Sequence, residues 1–199
     1  MNKKPNYDYE TILLNENPND VLKRWNYPGT EKLEKDLINF YESKSKTNDD
    51  IESLINKIVL WKLNRQVIIN VDLLDEIMHF EEKDINSFPS QRNDPWWQKV
   101  ESIINSLVKC DGVRIAMAST ILHFFHPSTF QIIDQRSYRV IFRQEMPYSS
   151  KDWGKIYVDY MLKCIEYYNN IKHKVNFNFM YFDRYTYQLD IEIGNGIKY

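Results

Sequence analysis

The chain has 199 residues, enough for a domain with a real core, and its formal net charge of −2 excludes DNA binding through overall basicity. Five glycines leave little room for a Rossmann or P-loop nucleotide site. The two cysteines, Cys110 and Cys164, exclude a four-cysteine zinc or iron–sulfur site within this sequence and predict reduced thiols in a cytoplasmic protein. No apolar run approaches the ~20 residues of a membrane span, and the first residues lack the apolar core of a signal peptide.

Helical periodicity dominates the sequence after an N-terminal stretch of thirty residues that prolines make irregular. A capping pair at Asp49 and Asp50 is expected to start the second long helix. Residues 87–95 form the clearest loop, and residues 130–133 a brief extended stretch. In chain order, the predicted helices run from Glu31 to Tyr41, Asp49 to Leu63, Val71 to Phe80, Trp97 to Lys109, Val113 to Phe125, Asp134 to Phe142, Trp153 to Ile171 and Phe179 to Ile193. With no convincing strand pair and no internal repeat, the predicted fold class is all-α.

A tight turn at Asp111–Gly112–Val113 joins two of these helices into a hairpin. Glycine permits a backbone turn that a side chain would block. The helix that follows begins with N–H groups that have no partner inside the helix, and such an N-terminus attracts phosphate. The alternative for an isolated glycine between helices is an ordinary packing corner.

The segment from Lys109 to Ile141 resembles the helix-hairpin-helix DNA glycosylase superfamily, the group of endonuclease III, MutY and 8-oxoguanine glycosylase. Gly112 and Val113 match the hairpin turn, and Ala118 matches the alanine at the tight packing point of the next helix. Asp134 lies twelve residues after Leu122, at the spacing of the catalytic aspartate of that family. The resemblance implies a two-lobed helical unit spanning 1–199, with a central lobe at 49–145 and a second lobe from 1–48 plus 146–199.

Two positions depart from the family pattern in a way that affects the expected chemistry. Arg114 replaces the second glycine of the turn, and its cationic side chain could itself reach a phosphate. Ala116 occupies the position where bifunctional members carry a Schiff-base lysine. The resemblance therefore implies a monofunctional glycosylase that uses Asp134 to stabilise the sugar cation, leaves an abasic site and has no lyase step.

The expected binding residues follow from the same alignment. Phosphate contacts are expected from Gly112, Val113, Arg114, Ala116, Arg136 and Arg139. The extruded base is expected against Trp61, Lys62, Asn64, Arg65 and Tyr138, because base excision needs a pocket and a stacking wall. For each aromatic side chain the alternative is core packing, and for Asp134 it is a plain helix N-cap. Residues 181–185 either contribute to the pocket wall or cover the core.

Local charge supports a DNA partner modestly. Between residues 96 and 144, six basic side chains face three acidic ones: Lys99, Lys109, Arg114, Arg136, Arg139 and Arg143 against Glu101, Asp111 and Asp134. A solvated mixed surface is the alternative explanation for this small excess.

The leading hypothesis is a monomeric DNA glycosylase acting on duplex DNA with an extruded base, in repair or in defence against modified phage DNA. No metal and no iron–sulfur cluster are expected, and the family resemblance allows a monovalent cation at the hairpin. The second hypothesis is a non-catalytic helical module that binds DNA or a protein. A nuclease ranks last, because no paired-carboxylate metal motif stands out.

Overall fold

A computed structural model of the chain describes residues 17–24, 30–43, 47–63, 69–194 and 196. These residues form α-helices and one 3₁₀ turn, at Phe179–Tyr181, and none of them lies in a β-strand. The predicted all-α class is confirmed. In chain order the helices are α1 (Pro18–Lys23), α2 (Thr30–Glu42), α3 (Asn48–Leu63), α4 (Val71–Met78), α5 (Pro95–Leu107), α6 (Ile115–Phe125), α7 (Gln135–Phe142), α8 (Trp153–Ile171) and α9 (Phe182–Glu192).

Several helix starts differ from the sequence prediction by a few residues, and hydrogen bonds explain two of the differences. Pro18, taken as a breaker, begins α1, where its missing N–H costs nothing and the side chain of Asn17 accepts a hydrogen bond from the Asn19 N–H. The predicted start of α3 at Asp49 and Asp50 is wrong by a few residues. Thr47 precedes the helix and exchanges hydrogen bonds with Asp50. Asp50 thus closes a capping box from inside the helix instead of starting it.

The most extensive packing joins α5 to α8, and it depends on a glycine. A Cβ atom built on Gly154 would lie 2.4 Å from the main-chain oxygen of Glu101, so only glycine allows the two helices this close. The Gly154 N–H also donates to the side chain of Asn105 at 2.8 Å. The first turn of α8 is therefore fixed against the middle of α5.

A buried ion pair holds α7 against α9. The guanidinium of Arg139, 0% exposed, donates to both carboxylate oxygens of Asp190, at 3.1 Å from Nε and 2.6 Å from Nη2. Arg136 donates to the same carboxylate at 3.0 Å. Two arginines from one helix thus share a carboxylate that has no exposed surface.

One hydrophobic cluster runs through the described helices, from Val21 in α1 to Leu189 in α9. The division into lobes at 49–145 and at 1–48 plus 146–199 stays a prediction. Packing of α5 on α8 and of α7 on α9 crosses its boundary, so the two parts share a core.

Arg139→Met is expected to lower the free energy of unfolding by about 3–5 kcal/mol, because it leaves a buried carboxylate with only part of its compensation. Urea unfolding followed by far-UV circular dichroism measures the change. The control, Lys163→Met, breaks an exposed ion pair with Glu166 and should cost ~0–1 kcal/mol. Equal stability of the two variants would show that the buried pair contributes no more than a surface one.

Candidate active site

The predicted hairpin turn is present between α5 and α6. Gly112 has φ of +79°, in the left-handed region that side chains disfavour, and the Val113 N–H donates to the main-chain oxygen of Cys110 at 3.1 Å. The Val113 side chain is buried and anchors the turn to the hydrophobic core. The glycine is therefore required by the backbone of the turn.

The N-terminus of α6 is open to a ligand. Arg114 precedes the helix with an extended backbone, its side chain is exposed, and no side chain caps the first turn. The main-chain oxygen of Ala116 accepts hydrogen bonds from Ser119 and Thr120, whereas the N–H groups of the first turn have no partner inside the helix. The exposed guanidinium and these N–H groups form a surface suited to an anion.

Asp134 caps α7, as one of its two predicted roles requires. Its Oδ1 accepts a hydrogen bond from the Ser137 N–H at 2.8 Å, and its side chain is half-buried. The carboxylate also lines a cleft at the surface of the helical core. The capping role and a role in a site therefore coexist at this residue.

The backbone that leads to Asp134 is held from one side by α8. Residues 130–133, predicted to be extended, lie in no helix and have no neighbouring strand, so their polar groups need other partners. Tyr157 donates its hydroxyl to the Gln131 oxygen at 2.9 Å, and Tyr160 donates to the Ile132 oxygen at 2.9 Å. The Gln131 N–H meets the sulfur of Met161 at 3.4 Å.

Side chains of α6 hold the same segment from the other side. His123 Nδ1 lies 2.7 Å from the Phe130 oxygen, which fixes the proton on that ring nitrogen because a carbonyl can only accept. The Ser119 hydroxyl accepts from the Ile133 N–H at 3.1 Å. Together with α8, these contacts fix the direction in which the carboxylate of Asp134 points.

Two buried tyrosine hydroxyls beside the segment are permanent donors. Burial holds the pKa of Tyr157 and of Tyr160 well above the usual range. At Tyr160 the nearby negative charges of Asp183 and Asp134 add to the effect on the pKa. Both hydroxyls therefore keep their protons at any physiological pH, and the hydrogen bonds to the segment persist.

The cleft brings together three of the predicted site residues, Trp61, Lys62 and Asp134. The Trp61 ring meets Phe124 edge to face at 5.1 Å, and Lys62 Nζ lies 5.8 Å from the Trp61 ring centre. The full lining comprises Thr30, Trp61, Lys62, His123, Phe124, Ile132, Asp134, Ser137, Asp183, Arg184 and Tyr187. Its volume of about 30 Å³ holds about two water molecules, whereas small-molecule pockets usually measure ~300–1,000 Å³.

Three predicted contact residues have other roles. Tyr138 is not among the lining residues: it is buried, stacks on Phe142 at 4.5 Å, and its hydroxyl accepts from Gln144. Arg139 cannot reach DNA phosphate, because it is fully buried against Asp190, and that prediction is wrong. Arg136 is bonded to the same carboxylate, so its guanidinium is also occupied within the protein.

Asn64 and Arg65, the remaining predicted base contacts, lie outside the described residues. Conversely, the cleft contains side chains that the pattern did not assign: Thr30, Ser137, Asp183, Arg184 and Tyr187. Ser137 could have been found, since it lies one helical turn from Asp134. For residues 181–185 the sequence predicts either a part of the pocket wall or a cover of the core, and Asp183 and Arg184 belong to the wall.

Ser119→Ala is expected to lower the free energy of unfolding by about 1–3 kcal/mol, because the buried Ile133 N–H would lose its acceptor. Denaturant unfolding measures the loss. Ser102→Ala, on the exposed face of α5, is the matched control and should change stability by less than ~0.5 kcal/mol. A Ser119→Ala protein as stable as this control would mean that the hydroxyl does not hold the segment.

Comparison of the chain with protein-family models, with curated proteins and with solved structures finds no match. The family resemblance therefore rests on the residues quoted from the sequence. None of the described helices is long and apolar enough to span a membrane. Within the described ranges, no three His, Cys, Asp or Glu side chains are grouped to hold a metal ion.

Proposed function

We propose that this chain is a helix-hairpin-helix DNA glycosylase that hydrolyses the N-glycosidic bond of a modified base in duplex DNA. One observation carries the proposal: Asp134 lies in a cleft with Trp61 and Lys62, side chains from a distant helix that the sequence pattern expected beside it. The close resemblance concerns residues 109–141, and α3 fits the helix that lines the base pocket of the family only loosely. The meeting of Trp61 and Lys62 with Asp134 at one cleft supports that wider part of the resemblance.

Catalysis in this proposal begins from a fixed carboxylate. Cleavage of an N-glycosidic bond passes through a sugar cation, and a carboxylate already in position stabilises that charge without reorganisation. The Tyr157 and Tyr160 hydroxyls donate to the preceding backbone, the Ser119 hydroxyl accepts from it, and these hydrogen bonds supply the rigidity. Asp134 can also orient the attacking water, for which the cleft has room.

The proposed products are a free base and an abasic site. Ala116 stands where bifunctional relatives would carry a lysine, and it offers no amine for a Schiff base. Strand breakage therefore needs added alkali or a second enzyme. The base itself is a cellular lesion or a hypermodified base of phage DNA, which correspond to repair and to defence.

DNA is proposed to bind at the N-terminus of α6. Arg114 is the exposed cation there, and Gly112 allows the turn to approach a phosphate closely. Arg136 and Arg139 take no part, because both bind Asp190. The proposed phosphate contact is thus local, in keeping with a net charge of −2.

The size of the cleft requires movement on binding. A volume of about 30 Å³ does not admit a nucleobase, so the wall formed by Trp61 and Lys62 must open when a base is extruded. The same small volume favours the second candidate function, a helical module that binds DNA at the hairpin without catalysis. Product analysis separates the two.

Asp134→Asn is expected to abolish base release, by at least about a hundredfold, while leaving the fold intact. Asparagine caps a helix as well as aspartate does, so only the negative charge is lost. The assay incubates the protein with duplexes that carry different modified bases, treats each with alkali, and compares cleavage with untreated samples. Strand breaks are expected only after alkali.

The matched control is Asp152→Asn, since Asp152 caps α8 through the same N-cap-to-third-residue hydrogen bond. Its base release should equal that of the unaltered chain. Base release by Asp134→Asn at the control rate would contradict the proposed mechanism. Duplex binding without release from any modified duplex would favour the non-catalytic module.

Arg114→Ala is expected to weaken duplex binding about equally for all sequences and to reduce the slope of log affinity against log salt by about one. Fluorescence anisotropy at several salt concentrations measures both quantities. Arg92→Ala is the control, because Arg92 pairs with Glu101 and Asp159 on the α5 and α8 surface. An unchanged salt slope in Arg114→Ala would remove the hairpin from the DNA contact.

A further inference from the structure

We propose that Asp183 is a second carboxylate of the Asp134 cleft and that both act on a positively charged sugar. This inference rests on the proposed function and adds a residue that the sequence pattern did not assign. Asp183 is only 4% exposed, yet it is one of the residues that line the cleft. It comes from α9, more than forty residues after Asp134 in the chain.

The position of Asp183 is fixed relative to Asp134 by the backbone between them. Its Oδ2 lies 3.4 Å from the Ile132 N–H, two residues before Asp134, and its Oδ1 accepts from the Arg184 N–H at 2.7 Å. Its own N–H donates to the side chain of Gln131 at 2.9 Å. Asp183 is thus held against Gln131 and Ile132, in the same short segment that leads to Asp134.

Asp183 forms no ion pair with any residue that the structure describes, and the neighbouring Arg184 directs its guanidinium to Glu34. A carboxylate has about four acceptor sites, and two main-chain N–H groups use two of them. Burying an ionised carboxylate is costly unless a partner compensates it. Two main-chain N–H groups compensate part of that cost, and a cation in the cleft would add the opposite charge.

The electrostatics of the cleft favour a cation between the two acids. Burial is the main cause of the raised pKa of Tyr160, and the negative charges of Asp183 and Asp134 raise this pKa further. Both carboxylates therefore act on the same hydroxyl. The lining also carries two cations, Lys62 next to the Trp61 ring and Arg184, which pairs with Glu34. A sugar that gains positive charge as its bond to the base breaks fits a cleft with two fixed carboxylates.

The test measures preference for a cation and does not require the natural base to be known. Two duplexes differ at one position, where one carries a neutral tetrahydrofuran abasic analogue and the other a pyrrolidine analogue that is protonated at neutral pH. The unaltered chain should bind the pyrrolidine duplex at least about tenfold more tightly. Asp183→Asn should reduce that ratio by about tenfold, equivalent to about 1.4 kcal/mol.

Three further variants make the result specific. Asp134→Asn should lower the same ratio, and Asp183→Glu, which keeps the charge, should retain most of it. Glu166→Gln removes one negative charge from an exposed site on α8 and should leave the ratio unchanged. Asp183→Ser, which keeps a hydroxyl for the Ile132 N–H, replaces Asp183→Asn if thermal unfolding shows that the asparagine variant does not fold.

The outcomes separate this inference from the proposed function. A ratio that falls in Asp134→Asn but not in Asp183→Asn or Asp183→Ser overturns the role of Asp183 and leaves the glycosylase proposal standing. An unaltered chain that binds both duplexes equally overturns both. A ratio that falls in the Asp183 variants and not in Glu166→Gln supports the second carboxylate.

Discussion

A buried non-helical segment in a helical protein has no neighbouring turn or strand to pair with its N–H and C=O groups, and the structure depends on how residues 130–133 satisfy these groups. Side chains from α6, α8 and α9 take the place of a sheet. Ser119, Tyr157, Tyr160 and Asp183 each contact a main-chain atom of this segment. Because an unsatisfied buried backbone group costs about 1–3 kcal/mol, these residues are needed for folding as well as for the site.

Because of the same arrangement, the geometry of the site depends on the packing of the whole fold. The three helices must be in place before residues 130–133 can be buried, and only then does Asp134 reach the cleft. The α5–α8 contact at Gly154 and the α7–α9 ion pair at Arg139 position those helices from outside the segment. A rigid carboxylate is therefore a product of the whole core and not of the local sequence around Asp134.

Much of this fold could be predicted from the sequence, because apolar periodicity and capping residues indicate where helices lie. The helical class, the turn at Gly112 and the cap at Asp134 follow from local patterns. Pro18 was misassigned because a proline either breaks a helix or begins one, and only the flanking Asn17 hydrogen bond decides. Thr47 was missed in favour of the more acidic residues after it.

The candidate site was only partly predictable, because a pocket is assembled from distant segments. Lys62 could be placed by analogy with a known helix order, whereas Asp183 could not, since no local pattern distinguishes a wall residue from a core residue. Arg139 illustrates the opposite error. A basic residue near a hairpin that resembles a DNA-binding motif suggests a phosphate contact, but the partner of Arg139, Asp190, lies 51 positions later and no local pattern reveals it.

The side-chain partners of residues 130–133 also set a limit on length. The main-chain groups of the segment are bonded to particular partners in the surrounding helices, so adding or deleting one residue would shift these groups out of register and turn Asp134 away from the cleft. The twelve residues from Leu122 to Asp134 are the path that this register requires. The spacing that identifies the motif in the sequence is thus also a requirement of the folded chain. We therefore expect surface substitutions to be tolerated more readily than insertions or deletions between Leu122 and Asp134.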